Sequence, residues 1–163
     1  MKKIFFLFAV LTIFYSCGSG DKTAYIDVDK VFNDFELTKQ KKAEFENTVS
    51  KRKEITDKEK LRLQQLYKTL GETKNPDKKE VEKFQIDRQL FEQKMQEDEQ
   101  QNKAMDDQYT SEIWKQLNQY IEDFRKEEGY TYLFIKSNIV ADEAKDVSKG
   151  ATEFVNKKFK GEK

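Results

Sequence analysis

One cysteine, Cys17, and no histidine occur in the 163 residues. Nucleophilic and metal chemistry therefore lack their usual parts, since a reactive thiol needs a neighbouring base and a metal site needs several donors. The six glycines form no Gly-x-x-x-x-Gly-Lys loop to cradle a phosphate, and no serine sits on a Gly-x-Ser-x-Gly elbow. What remains is 31 aspartates and glutamates interspersed with 31 lysines and arginines. Scattered at that density, carboxylates are the solvated faces of helices, and no pair stands out as an acid–base couple. The residues imply binding rather than catalysis: no catalytic residue, no metal and no cofactor is assigned.

The chemistry open to Cys17 is modification. Met1-Lys2-Lys3 is a short positive start, and Ile4 to Phe14 is an apolar run with Thr12 as its one polar member. That run suits an export-signal core and is far shorter than the roughly 20 residues of a membrane-spanning helix. Phe14-Tyr15-Ser16-Cys17-Gly18 resembles the lipobox of bacterial lipoproteins, with Phe14 where leucine is usual. Residues 1–16 then form the signal, Cys17 carries the lipid, and 17–22 are a tether. Each buried CH₂ contributes about 0.8 kcal/mol, so two or more chains anchor stably. Ordinary cleavage after Gly20 is the alternative and removes Cys17. Either route exports the chain without a structural disulfide. Gly18 stands where an aspartate signals inner-membrane retention in some bacteria, which points to the outer membrane.

Loss of Lys2 and Lys3 with the signal leaves 29 basic against 31 acidic residues, a net charge of −2. Nucleic acid rewards clustered Lys and Arg, and this even pattern excludes it as a partner. Charged residues make up 38% of the chain and apolar ones 36%, a balance shared by disordered segments and by long exposed helices. Thirteen phenylalanines, seven tyrosines and a sustained helical period decide for helices.

Residues 36–70 and 77–128 are rich in Lys, Glu, Gln, Arg and Leu, all good helix formers. Between them Gly71-Glu72-Thr73-Lys74-Asn75-Pro76 is a short break, with Gly71 ending one helix and Pro76 opening the next. So short a link makes a helical hairpin with its tip at 71–76. In the second helix Val81, Phe84, Arg88, Phe91, Met95, Asp98, Asn102, Met105 and Tyr109 alternate steps of three and four, a heptad seam. Two four-residue steps to Ile113 and Leu117 interrupt it before Tyr120 and Phe124. The first helix answers with Phe45, Arg52, Ile55, Glu59, Leu63, Leu66 and Leu70. Arg52 and Glu59, facing Arg88, Asp98 and Asn102, make a coiled coil spotted with charge, which is costly unless paired or solvated. At 1.5 Å per residue the helices run about 52 Å and about 78 Å. The excess of the second, with Ile113, Trp114, Leu117, Tyr120, Ile121 and Phe124, belongs to a base.

Two end segments supply that base. Thr23 to Asp29 alternates Ala24, Ile26 and Val28 with Tyr25, Asp27 and Asp29, a strand signature. Tyr130 to Ile135 is apolar on both faces, as in a central or barrel strand, and Ile139-Val140-Ala141 can return as another across Lys136-Ser137-Asn138. Asp146 starts a terminal helix with Val147, Ala151, Phe154, Val155 and Phe159 on one side. The fold class is α+β, mostly α: an arm at 36–128 on a small body of 23–35 and 129–163. A body of fewer than about fifty residues without disulfide or metal implies oligomerisation. The residues expected to build that oligomer are Tyr25, Ile26, Val28, Tyr132, Leu133, Phe134 and Ile135.

Ala24-Tyr25-Ile26-Asp27-Val28-Asp29-Lys30-Val31-Phe32, Gly129-Tyr130-Thr131-Tyr132-Leu133-Phe134-Ile135 and Asp146-Val147-Ser148, spaced around a helical hairpin, resemble the OmpH/Skp family of bacterial periplasmic chaperones. The resemblance spans about residues 23–160 and rests on the body, since the arms are compositionally generic. It implies a homotrimer whose arms surround a cavity, and an ATP-independent holdase for unfolded outer-membrane proteins. The lipobox is unlike the family's soluble members, and the near-neutral charge is unlike its strongly basic ones. Apolar residues off the seam, Leu61, Tyr67 and Ile86, are the candidates for client contact, with packing at the tip or between arms as the bland reading. Trp114 reads as core of the base, and Met105 and Tyr109 as seam. The rival function is a lipid-anchored coiled-coil spacer or adaptor for one envelope partner.

Overall fold

A computed structural model describes residues 21–139 and 144–162. Residues 1–20, on which the expected signal and Cys17 fall, and residues 140–143 and 163 lie outside the described residues. Strand β1 (Thr23–Ile26) leads into helix α1 (Val28–Asp34), then the long helices α2 (Glu36–Glu72) and α3 (Lys78–Glu127). Strand β2 (Tyr132–Ile135), a 3₁₀ turn (Lys136–Asn138), strand β3 (Lys145–Asp146) and helix α4 (Ser148–Lys160) follow.

The expected strand through Asp29 stops at Ile26. Asp27 ends it, because its carboxylate accepts from the Lys30 N–H at 3.2 Å and its carbonyl from the Val31 N–H at 3.0 Å, which is an N-cap. Val28 is thereby helical and half-buried rather than part of the sheet. α1 stops at Phe35, whose extended backbone (φ −69°, ψ 131°) separates it from α2. Asn156 of α4 spans this break: its Oδ1 accepts from the Glu36 N–H at 2.8 Å and its Nδ2 donates to the Asp34 carbonyl at 3.1 Å.

At the tip, α2 runs through Gly71 to Glu72, and Asp77 caps α3 by accepting from the Lys79 N–H at 2.9 Å. Pro76 therefore lies just before the cap and not in the first turn. At the other end Gly129 takes φ +70°, which lets the Tyr130 N–H reach the Arg125 carbonyl at 2.9 Å and closes α3. At this end of α3, Lys22 is held by its carbonyl accepting from Thr131 N–H (2.8 Å), by its ammonium on the Glu128 carbonyl, and by the Tyr130 ring.

The sheet has order β2-β1-β3 with both pairs parallel. The register sets Thr23 beside Tyr132 and Ile26 beside Ile135, with Tyr25 opposite Asp146. β1 is therefore central, and Ala24, Tyr25 and Ile26 are all buried. β2, read as a central strand, is an edge in the single chain. Most of the expected return strand, Ile139-Val140-Ala141, falls outside the described residues. Ile139 lies outside any strand, and the third strand is Lys145–Asp146 running parallel to β1. After Ile135 the chain enters a 3₁₀ turn, Lys136–Asn138, before the stretch outside the described residues.

The core joins the sheet to α1, the last turns of α3 and one side of α4. Val31, Phe35, Leu117, Ala151 and Val155 are completely covered. Phe35 meets the Tyr120 and Phe159 rings edge-on, at 6.2 and 5.5 Å. Trp114 stacks on Phe32 at 4.7 Å and packs against the core, as its place in the sequence suggested. Two Asp-based contacts tie the two halves of the base together. The Asp27 N–H donates to Ser148 Oγ at 2.7 Å, and that hydroxyl donates to Asp146 Oδ1 at 2.6 Å. The Asp146–Val147–Ser148 stretch is thus a knot between β1 and α4. The Ser148 hydroxyl, then its N–H, holds the Asp146 carboxyl below the usual range.

Candidate functional site

The arm is the antiparallel pair α2 and α3, which at about 1.5 Å per residue are about 55 and about 75 Å long. The buried stripe of α2 follows Phe45, Val49, Arg52, Thr56, Glu59, Leu63, Leu66 and Leu70, a regular heptad. Ile55, expected in this seam, is 66% exposed, and Thr56 takes the place. Counting back by sevens from Leu70 and Leu63 reaches Thr56 and Val49; hydrophobicity alone had favoured the isoleucine. On α3 the seam holds as read except at Arg88, which points outward, and Met95, which is 45% exposed. Asp87 replaces Arg88 beside the seam.

The charges in and beside the seam have polar partners. Arg52 donates to Gln101 Oε1 at 2.9 Å and also to Asn102 Oδ1. Arg62 joins Glu59 of its own helix to Asp87 of α3, both at 2.7 Å, and the Arg62 contact holds the Glu59 carboxyl below its usual range. Asp98 is buried in the seam with Lys94 Nζ at 2.5 Å. Near the base, Lys41 bonds Glu112 at 3.1 Å and lies over the Tyr109 ring at 4.6 Å; the Glu112 contact raises its pKa. These layers are polar but satisfied, an arm held by modest pairs rather than a continuous apolar zipper.

The three candidates off the seam, Leu61, Tyr67 and Ile86, are all exposed, with Tyr67 only leaning on Phe84 at 6.0 Å. Sequence reasoning missed two companions. Leu90 is exposed four residues after Ile86 and so shares its helix face, and Ile55 joins Leu90 and Phe91 around a hollow of about 210 Å³. A larger groove of about 370 Å³ opens at the root of the arm between α1, α2 and α3. Among the residues expected in an oligomer, Tyr25 and Ile26 are buried within the sheet and Leu133 packs on the core. Tyr132, Phe134 and Ile135 are exposed on the edge strand, with the Tyr132 and Phe134 rings stacked at 6.2 Å. Among the described residues no helix is long and apolar enough to cross a membrane, and no acidic or thiol cluster could hold a metal.

A long two-helix arm rising from a small parallel sheet with an open apolar edge defines the class: a coiled-coil hairpin on an α+β base. The chain belongs to the OmpH-like outer membrane protein family, whose sequence profile matches residues 22–153. The fold is similar to a crystal structure of a candidate OmpH-like outer membrane chaperone from Caulobacter crescentus CB15, with a TM-score of 0.74 at 13% identity, over 86% of this chain and 87% of that one. Among curated proteins none matches.

Proposed function

We propose that the protein is an ATP-independent holdase that keeps unfolded outer-membrane proteins from aggregating in the periplasm, with no catalytic step. The observation that carries this reading is the arm's uncovered apolar surface: Ile55, Leu61, Tyr67, Ile86 and Leu90 stay exposed although a regular seam is available to bury such residues. A spacer has no use for them. Weak contacts of this kind hold a client when several arms present them together, because each additional contact is made at a high effective concentration. The proposed assembly is a homotrimer closed through the β2 edges, with the body at 23–35 and 129–163 and the arm at 36–128. Export by residues 1–16 and lipidation at Cys17 would tether it, by 17–22, to the outer membrane.

The test uses residues 21–163, which contain every described element. Urea-unfolded β-barrel protein is diluted into it while light scattering and the mass of any complex are followed. Suppressed scattering with three copies per client supports the reading. Full aggregation in the presence of a folded oligomer overturns it in favour of an adaptor with one folded partner.

A further inference from the structure

At the root of the arm a groove is lined by Phe32 of α1, Phe45 of α2, and Tyr109 and Ile113 of α3. Phe45 and Tyr109 hold seam positions, yet both remain only half-buried. Thr38 lines the same groove, is 9% exposed, and its hydroxyl has no hydrogen-bond partner among the described residues. A threonine in a helix ordinarily bonds the carbonyl four residues back. For Thr38 that residue is Asp34, which lies across the kink at Phe35 and accepts from Asn156 instead. A buried hydroxyl without a partner costs about 1–3 kcal/mol, and this one lies beside open aromatic surface. One wall is already fixed, since Lys41 is tied to Glu112 and covers Tyr109. The rim carries both signs, Lys42 against Glu46 and Asp106. An anion or a cation would be repelled by part of that rim. An uncharged peptide segment, with N–H donors and C=O acceptors, finds a complement for each.

We infer that this groove receives an aromatic side chain of an extended unfolded client, of the alternating aromatic–polar kind that builds barrel strands, with the rim charges bonding the client backbone. This rests on the holdase reading and narrows it, because the main anchor is then the arm root and not the flanks at Leu61, Tyr67 or Ile86.

Trp114 is the chain's single tryptophan and stacks on Phe32, a lining residue, so its emission reports on the groove. The probe is a short Trp-free peptide alternating Phe or Tyr with Ser and Thr; a control peptide carries Ala for each aromatic. Saturable change in Trp114 emission with the first peptide alone is expected. Thr110→Phe, which fills the groove from an exposed position, should weaken binding at least tenfold with an unchanged circular dichroism spectrum. If that variant misfolds, the exposed rim pair Lys42→Glu and Glu46→Lys serves in its place, each with a several-fold loss. Equal affinity in wild type and groove variants overturns the inference, as does loss of binding in Ile86→Ser or Leu90→Ser instead. A change in oligomer mass on filling the groove, with peptide affinity intact, also overturns it by assigning the groove to a second copy. Wild-type protection of an unfolded barrel protein that survives Thr110→Phe sinks the groove alone. Absence of wild-type protection sinks the holdase reading with it.

Discussion

Asp98 is the point at which the arm most clearly gives up stability, and Asp98→Leu measures how much. The carboxylate sits at a heptad position of α3, 8% exposed, between Phe91 and Met105. Its ion pair is with Lys94, four residues back on the same helix, and the lysine side chain is 54% exposed, so solvent screens the pair. Such an i,i+4 pair contributes about 0.3–0.5 kcal/mol. A leucine buried at the same place contributes about 1.5–3 kcal/mol, less about 1 kcal/mol for imperfect fit in a seam shaped around a smaller residue. With the ion pair lost as well, the expected outcome is a net gain of up to about 1.7 kcal/mol, a rise of up to about 5 °C in melting temperature for a domain of this size. The matching functional expectation is weaker suppression of aggregation, because a zippered arm opens less readily around a client. Thermal melts by circular dichroism and the light-scattering assay on the same preparation check both. A lower melting temperature would refute the reasoning by showing that the carboxylate holds the arm. Higher stability with undiminished protection would separate the polar layers from client capture.

Three further outcomes follow from the base and the groove. Leu117→Ala empties the centre of the body at a completely buried position, and urea unfolding should show a loss of about 2–5 kcal/mol. Thr38→Val removes the unpartnered hydroxyl at nearly constant shape, so urea unfolding should show a gain of about 1–3 kcal/mol; lower stability would mean that the hydroxyl is satisfied in solution. Asp146 has its pKa depressed below 3.8 by Ser148, so its contribution is complete above that value and is lost as the pH falls through the folded-state pKa. Asp146→Asn should therefore be less stable than wild type at neutral pH, with the gap closing as the pH falls through the depressed folded-state pKa, as followed by denaturant midpoints from neutral to acid pH. A gap independent of pH would remove the carboxylate's charge from the explanation.

The long elements were legible because their signals repeat. Seven-residue spacing over many turns fixes a seam even when single members are polar, and Asp98, Asn102 and Tyr109 were placed by it. Ile55 was misplaced where one hydrophobic residue adjoined the true position, Thr56, because a one-residue shift leaves composition unchanged. The short elements were less legible. Val28 continued an alternating pattern, but Asp27 could accept from the N–H three residues on, and that cap outweighed the alternation. Nothing local marks Thr38, since its unpaired hydroxyl follows from a kink at Phe35 and from Asn156, which is about 120 residues away in sequence. Features that depend on such distant partners leave no period to read.

β2 is where the sequence pattern and the single chain disagree. Tyr132 to Ile135 is apolar on both faces, which suits a strand covered on both sides, yet in the single chain it is an edge with Tyr132, Phe134 and Ile135 exposed. An exposed apolar edge strand is a liability that proteins ordinarily blunt with charge, proline or a covering element. The charge nearest to it, Lys136, is tied back to Asp27 at 3.2 Å, leaving the strand's own four residues without a gatekeeper. The proposed trimer resolves the conflict, because the sequence pattern then describes the assembly and the open edge describes one third of it. Phe134→Lys places a charge on that edge without touching the buried core. Analytical ultracentrifugation should find a folded monomer, or a trimer that dissociates at markedly lower concentration. A trimer as stable as wild type would place the interface elsewhere, and the apolar edge would then be free to pair with client strands.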